Sequence, residues 1–350
     1  MVRRRAITIK EVAELANVSQ MTVSRVLNGS AAVRSETRKR VQDAILELNY
    51  RPNLMARNLA RGQSMVIGIL YQSDDSPELA PVVIAALKSI RSLGHHLVLE
   101  DVESSTSPTR DDEELIRQLA LQSLDGLIVT PAIAQRQSLL DRLTEQGMSV
   151  VALGPGGDDG NFARVTHDDR SAARALTRQL LEKGHKRIAF VSAGSDHTAS
   201  QIRKRGYELA LTDMDIALDP ELVFDGEPDL ESGAAAIDAL FERATPPTAI
   251  FCANDRMAAG VMSRASQKGL NVPEDVSVAG FDDAGCVGPV TRPRMTRVQL
   301  PYAQMAEIAI EYLSGEVFPG GLKNCELKGP KHMEINSVEL IEGESVSPLN

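Results

Sequence analysis

The sequence predicts a small α-helical head joined to an α/β body of two doubly wound parallel sheets. Three observations predict it. The first 62 residues carry short amphipathic helical patterns separated by turn residues. From Ser64 onward, apolar runs of five or six residues alternate with amphipathic helical stretches, the pattern of strands covered on both faces by helices. Charge divides at the same place. Residues 1–62 hold twelve Lys and Arg against five Asp and Glu, a net of +7, while the remainder carries 26 against 43, a net of −17. The whole-chain figure of −10 therefore averages a basic module suited to a polyanion with an acidic body that is not.

In the head, Thr8-Ile9-Lys10-Glu11 reads as a capping box. Val12, Ala13, Leu15 and Ala16 supply the buried stripe of the helix it opens. Asn17-Val18 turns the chain, and Ser19 caps a second helix, Gln20 to Leu27. Helical periodicity turns Val23 and Val26 inward and leaves Gln20, Met21, Ser24 and Arg25 outward. Asn28-Gly29 ends this helix, because both residues tolerate the left-handed region. Ser35 caps a third helix whose core face is Val41, Ala44, Ile45 and Leu48. Two short helices on a tight turn, followed by a supporting helix, predict a helix-turn-helix unit.

The body's strand candidates are residues 65–70, 96–100, 126–130, 149–153, 187–191, 249–253 and 276–281. Helical patterns lie near 80–93, 111–122, 135–146, 169–183, 198–212, 231–244, 255–269 and 301–314. They group into subdomains near 64–163 and 164–291. Residues 292–350 add a strand and helix at about 296–315 and a strand near 336–341, returning to one or both. The domain reading is thus 1–50 for the head, 51–62 for a linker and 63–350 for the body.

Ligands of such sheets sit beyond the carboxyl ends of the strands. Polar clusters occur there: Asn254-Asp255 after Ala249–Ala253, Asp282-Asp283 after Val276–Phe281, and Arg203-Lys204-Arg205 following the strand 187–191. Asp255 and Asp283 read as helix caps. His167-Asp168-Asp169 reads as a helix cap and subdomain crossover, and Gly154–Gly160 as a turn or as a set of exposed amides.

Several classes are excluded. No apolar run reaches the roughly 18 residues that span a bilayer. The start, MVRRRAITIKEVAEL, has no apolar stretch behind its basic residues, so secretion is not expected and a cytoplasmic location is. Cys252, Cys286 and Cys325 form neither a zinc pattern nor a disulfide framework. There is no phosphate-binding glycine loop and no legible nucleophile and base, so neither an enzyme nor a cofactor is expected, and no metal site.

The run T-I-K-E-V-A-x-x-A-x-V-S-x-x-T-V-S-R-V-L-N, followed by L-N-Y-x-P-N-x-x-A-R-x-L, resembles the DNA-binding head of the lac repressor (LacI/GalR) family of transcriptional regulators. The body resembles the type I periplasmic-binding-protein fold of the same family over essentially its full length. The resemblance implies that Gln20, Met21 and Arg25 read operator bases. Thr22, Ser24 and Asn28 would hold phosphates. It implies a hinge helix over 51–62, with Asn53, Ala56, Leu59 and Ala60 at the minor groove and Leu59 wedged between base steps. Arg203, Asn254 and Asp282 map onto effector contacts, and Tyr71, Gln72 and Phe281 join them as candidates. One guanidinium fork with an amide and a carboxylate suits the vicinal hydroxyls of a sugar.

Three positions depart from the founding member: Met21 in the reading helix, Leu300 where it has an effector-contacting Gln, and Gly154 where it has an Asp. The implied protein is a cytoplasmic, nucleoid-associated homodimer that binds a near-palindromic DNA operator and is released by a small sugar. Val82–Ile90, by resemblance, and Ala258–Ala265 are its candidate dimer surfaces.

Overall fold

The computed structural model describes residues 9–27, 34–48, 64–72, 78–102, 112–156, 161–195, 197–281, 287–315, 325–329, 331–335 and 338–349. The chain divides into two compact units, 1–64 and 65–350.

The head has three helices: α1 (Ile9–Leu15), α2 (Gln20–Leu27) and α3 (Ser35–Glu47). Val12, Ala13, Ala16, Val23, Val26, Val41 and Ala44 are buried together, with Val18, Ile45 and Leu48 packed at the margin. Ser19 caps α2, its hydroxyl accepting from the Thr22 amide at 3.2 Å. The tight turn before it is made by Asn17 at φ +52°, a value that asparagine tolerates better than most residues.

The body's first sheet is built from β1 (Val66–Tyr71), β2 (His96–Asp101), β3 (Gly126–Val129), β4 (Val150–Leu153) and β5 (Ala163–His167). Later in the chain β11 (Cys325–Gly329) and β12 (His332–Ile335) join it, giving the order β11-β12-β5-β4-β3-β1-β2. All neighbours are parallel except β11 and β12. Helices α4 (Leu79–Leu93), α5 (Asp112–Leu121), α6 (Pro131–Ala134) and α7 (Gln137–Glu145) cover its faces. Alternation along β3 is explicit: Leu127 and Val129 join one core cluster and Ile128 the other. Burial on both faces explains why these strands read as continuous apolar runs.

The second sheet contains β6 (Ile188–Ser192), β7 (Val223–Asp225), β8 (Ala249–Cys252), β9 (Ser277–Phe281), β10 (Thr296–Gln299) and β13 (Glu339–Ile341), in the order β13-β10-β9-β8-β6-β7. Only β13 runs antiparallel. Its helices are α8 (Asp169–Glu182), α9 (Thr198–Asp213), α10 (Leu230–Phe241) and α11 (Asp255–Gln267). Gly206 lets α9 lie against α8, because a Cβ there would stand 2.3 Å from the Arg170 carbonyl oxygen. The last helix, α12 (Tyr302–Ser314), returns to the first sheet. It buries Met305, Ala306, Ile308 and Ala309 in the same cluster as Val82, Ala85, Ala86 and Ile90 of α4.

The sequence reading is corrected at three points. Residues 163–167 form a strand of the first sheet, so the chain crosses after His167 and not before Arg164. The strand expected near 336–341 is β13 of the second sheet, and the sequence reading missed β12, which joins the first sheet just before it. Residues 292–350 serve both halves, as one of the two arrangements the sequence left open, and the chain crosses after β5, after β10 and after β12. The Ala258–Ala265 surface is unavailable to a partner: Ala258, Val261 and Ala265 are fully buried in the body's own core. On α4 it is Ile84 and Leu87 that are exposed.

The C-terminal segment is sewn to the second half. The Ser345 hydroxyl donates to the Val278 carbonyl oxygen at 2.5 Å and accepts from the Thr296 amide at 2.8 Å. His185 Nε2 donates to the Ser347 carbonyl oxygen at 2.9 Å, and its Nδ1 lies 3.1 Å from the Thr248 hydroxyl. Burial lowers the His185 pKa, outweighing the Ser347 bond that raises it. A histidine whose folded pKa lies below its unfolded value binds fewer protons folded than unfolded. Its favourable contribution is full above about pH 6.5 and is lost as pH falls through that value. Acidification from about pH 7.5 to about 5.5 should therefore lower the unfolding temperature, and His185→Gln should flatten that slope. An unchanged slope in the variant would refute the assignment.

Candidate functional site

In the head, the exposed face of α2 follows from helix geometry. At about 100° per residue, positions 20, 24, 21 and 25 fall within an arc of about 140°, opposite 23 and 26. Accordingly Gln20, Met21 and Arg25 are exposed, with Met21 at 66%, while Val23 and Val26 are buried. An exposed thioether at that level on a 66-percent-open methionine has no core to fill. The Thr22 hydroxyl lies 2.9 Å from that of Ser19, so it supports the turn as well as standing at the helix start. Ser24 lies on the same arc of α2. Asn28 and the linker positions Asn53, Ala56, Leu59 and Ala60 lie outside the described residues.

In the body, the site grows from the first crossover. His167 is the last residue of β5, Asp168 caps α8 by accepting from the Ser171 amide at 3.0 Å, and Asp169 is the first helical residue. His167 Nδ1 lies 2.8 Å from Asp169 Oδ1, with both side chains 1% exposed. Asp169 Oδ2 accepts from Arg203 Nε at 3.2 Å. Burial raises the Asp169 pKa, but the Arg203 and His167 charges and hydrogen bonds outweigh it and hold the carboxyl below the ordinary value. Arg203 Nη1 donates to the Ala253 carbonyl oxygen at 2.6 Å, and its guanidinium lies 4.1 Å from the centre of the Phe281 ring. One side of the fork is thus fixed by carboxylate, carbonyl and ring together. Among the described residues, two of its five N–H groups are committed.

Arg203 and Asn254 come together in one cavity of about 220 Å³, with Glu78, Gln135, His197 and Tyr302 among its lining. Asn254 has two tasks there. Its Oδ1 accepts from the Met257 amide at 2.8 Å as the cap of α11, and its Nδ2 donates to the Pro228 carbonyl oxygen at 3.3 Å. The cap expected at Asp255 is therefore Asn254 instead.

Asp255 faces inward, fully buried, with Arg297 Nε 3.4 Å from its Oδ2. Gly280 makes room for this carboxylate: a Cβ there would stand 2.2 Å from Asp255 Oδ1.

Other expected contacts fall differently. Phe281 is fully buried beneath the Arg203 guanidinium, so its ring supports that residue and cannot stack on a sugar. Tyr71 and Gln72 stand at the carboxyl end of β1 but do not line the cavity. Leu300 is a core residue at 4% exposure. Asp282 lies outside the described residues. The described part of the glycine-rich loop wraps the buried Arg164, whose Nη1 donates to the Gly154 and Pro155 carbonyl oxygens at 3.4 Å each. Sequence reasoning missed Tyr302, Glu78 and His197. Only Tyr302 carried a signal, an aromatic residue directly after Pro301 at a helix start.

Residues 8–53 match the bacterial regulatory proteins of the lacI family, and residues 177–346 match a periplasmic binding protein-like domain. The probable HTH-type transcriptional repressor ExuR of Bacillus subtilis (strain 168) is 32% identical over 307 residues, 88% of this chain and 90% of that protein. The chain belongs to the lacI family. The HTH-type transcriptional repressor PurR of Aliivibrio fischeri (strain MJ11) is 33% identical to this LacI-family chain over 310 residues, covering 87% and 90%. Two solved structures are similar. A complex of the transcriptional regulator CelR with cellobiose has a TM-score of 0.68 at 29% identity, covering 97% of this chain and 99% of that one. The lac repressor dimer bound to operator and the anti-inducer ONPF has a TM-score of 0.67 at 25%, covering 98% and 100%. The LacI-family chain is a DNA-binding transcriptional repressor, and its relatives carry the names of repressors, not of enzymes. Among the described residues, no helix is long and apolar enough to cross a membrane.

Proposed function

We propose that this repressor binds a near-palindromic operator as a homodimer and is released by a small sugar bound between the two sheets of its body. The observation that carries the effector site is the fixed Arg203 fork lining one cavity with Asn254. A guanidinium held on one side offers planar, directed donors to adjacent hydroxyls without further loss of side-chain freedom. Glu78 and Gln135 add acceptors for hydroxyl protons. The volume of about 220 Å³ lies below the roughly 300 Å³ at which common ligand clefts begin, which favours a monosaccharide-sized effector. Asp282 completes the set by family resemblance. The cellobiose held by the CelR neighbour supports a sugar, and the lac repressor dimer on its operator supports the assembly. Such a repressor works in the cytoplasm, on the nucleoid when DNA-bound.

In the head, Arg25 would fork onto guanine O6 and N7, Gln20 would pair with adenine N6 and N7, and Met21 would touch a thymine methyl. Thr22, Ser24 and Asn28 would hold phosphates, while Asn53, Ala56, Leu59 and Ala60 would meet the minor groove. Two heads on a two-fold axis read half-sites about one helical turn apart.

The test begins with an operator selected from random duplexes by the full chain. Binding is then followed by fluorescence anisotropy against a panel of pentoses, hexoses and disaccharides. A monosaccharide is expected to weaken operator binding about tenfold or more, a coupling of roughly 1–3 kcal/mol. A panel that leaves operator affinity unchanged, or that strengthens it, overturns release by a sugar. Separately, Arg25→Ala is expected to cost about 1–3 kcal/mol on the selected operator and relax base preference at one position of each half-site. Equal losses on all sequences would remove it from base reading.

A further inference from the structure

A second cavity, of about 610 Å³, lies on the other side of the His167 crossover from Arg203. Helix α9 serves both cavities through different faces. Residues 201, 204, 205 and 208 recur at the three- and four-residue spacing that makes one helical face, while position 203 points about 200° away from 201. Gln201, Lys204, Arg205 and Glu208 line the second cavity, and Arg203 lines the first. Opposite them stand Thr166 of β5 with His332 and Glu334 of β12, and Arg170 of α8 completes the wall. The Thr166 hydroxyl lies 3.1 Å from His332 Nε2.

Charge accounting identifies what this cavity attracts. Arg205 is paired with Glu208 at 3.7 Å. The Asp168 carboxylate caps α8, and Asp169 is committed to His167 and Arg203. Among the described residues, Arg170 and Lys204 have no ion-pair partner. Two cations from neighbouring helices thus border a cavity whose far wall offers a hydroxyl, an imidazole and a carboxylate.

We propose that this cavity binds a small polyhydroxylated anion, its acidic group held by Arg170 and Lys204 and its hydroxyls by Thr166, Gln201 and Glu334. Its walls come from the first sheet, from helices α8 and α9 of the second half and from the crossover between them, so an occupant spans the two halves. Pro155 and His167 line both cavities, so a displacement of either on binding at one would reach the other. The site is a second input to the repressor, independent of which sugar occupies the Arg203 cavity.

The test uses the full chain and three probes on one carbon skeleton: ribose 5-phosphate, ribonate and ribose, each titrated calorimetrically. At least one of the two anions is expected to bind. Binding of the phosphate alone assigns a phosphate-bearing ligand, and binding of ribonate alone assigns a carboxylate. The double substitution Arg170→Gln/Lys204→Gln removes two side chains that make no ion pair, and circular dichroism and thermal unfolding verify that the variant is folded. It should weaken the anion at least tenfold, whereas Asn254→Ala, in the other cavity, should leave it within about threefold. Failure of both anions to bind overturns the proposal. So does an unchanged affinity in the folded double variant, or a larger loss in Asn254→Ala. Failure of the Arg203 cavity to take a sugar leaves these outcomes unaffected, so the two readings fail separately.

Discussion

Replacing Arg297 by Met should destabilise the body by about 3–5 kcal/mol, the largest stability loss expected of any single substitution considered for this chain. Arg297 is 6% exposed on β10, and its Nε lies 3.4 Å from the Oδ2 of the fully buried Asp255 on α11. Removing the guanidinium takes away the cation that faces Asp255 Oδ2 inside the core. Gly288 closes one side, since a Cβ there would stand 2.6 Å from Arg297 Cδ and 2.8 Å from Asp255 Oδ2. The lost charge partner, not the lost volume, dominates, because Met fills much of the same space. A double substitution, Arg297→Met with Asp255→Leu, should recover much of the loss. Urea unfolding midpoints measure both. If the single variant unfolds like the parent, the pair contributes nothing and the argument fails.

The second expected result concerns Arg203→Lys. It should weaken effector binding by on the order of 10²-fold or more, with operator affinity in the absence of effector retained. Lysine keeps the charge but has one nitrogen, and it cannot meet Asp169, the Ala253 carbonyl and a sugar in one plane. The Phe281 ring loses the flat cation that covers it at 4.1 Å. The result separates fork from charge: a lysine variant that responds normally would mean that charge alone is recognised. Asp169→Asn should act in the same direction more weakly, as the fork keeps its carbonyl and ring but loses its carboxylate. Calorimetry with the effector found by the anisotropy screen reads both.

Local signals carried much of this architecture. Strands β1, β3, β4 and β8 are nearly unbroken apolar runs, because both faces are covered and no polar alternation interrupts them. The head was legible from caps and a three-to-four-residue period, and Arg203 and Asn254 from motifs at strand ends. The parts that escaped depend on residues far apart in the chain. Asp169 and Arg203 are 34 positions apart, and nothing near either marks them as partners. Residues 163–167 escaped as a strand because Ala163-Arg164-Val165-Thr166-His167 looks half polar, and only the Arg164 guanidinium folded against its own loop makes that polarity compatible with burial. Phe281 is an effector candidate in the sequence because aromatic residues are few, and sequence alone does not say what lies on its ring. Asn254 took the cap expected at Asp255 for a related reason. Either side chain can cap a helix, and the choice was made by Arg297 in a strand added much later.

The strands that complete the two sheets are the last parts of them to be synthesised. β12 enters the first sheet beside β5, and β13 with Ser345 closes the second, all within residues 332–345. On a ribosome, the head can fold soon after residue 48 emerges, since its core uses only residues 12–48. Neither half of the body can be finished until residues 332–345 are out. Throughout translation the nascent chain therefore displays a folded helix-turn-helix ahead of two unfinished sheets with open edges at β5 and β10. Yield in the cell should depend on how quickly those final residues follow, and on what shields the edges until they arrive.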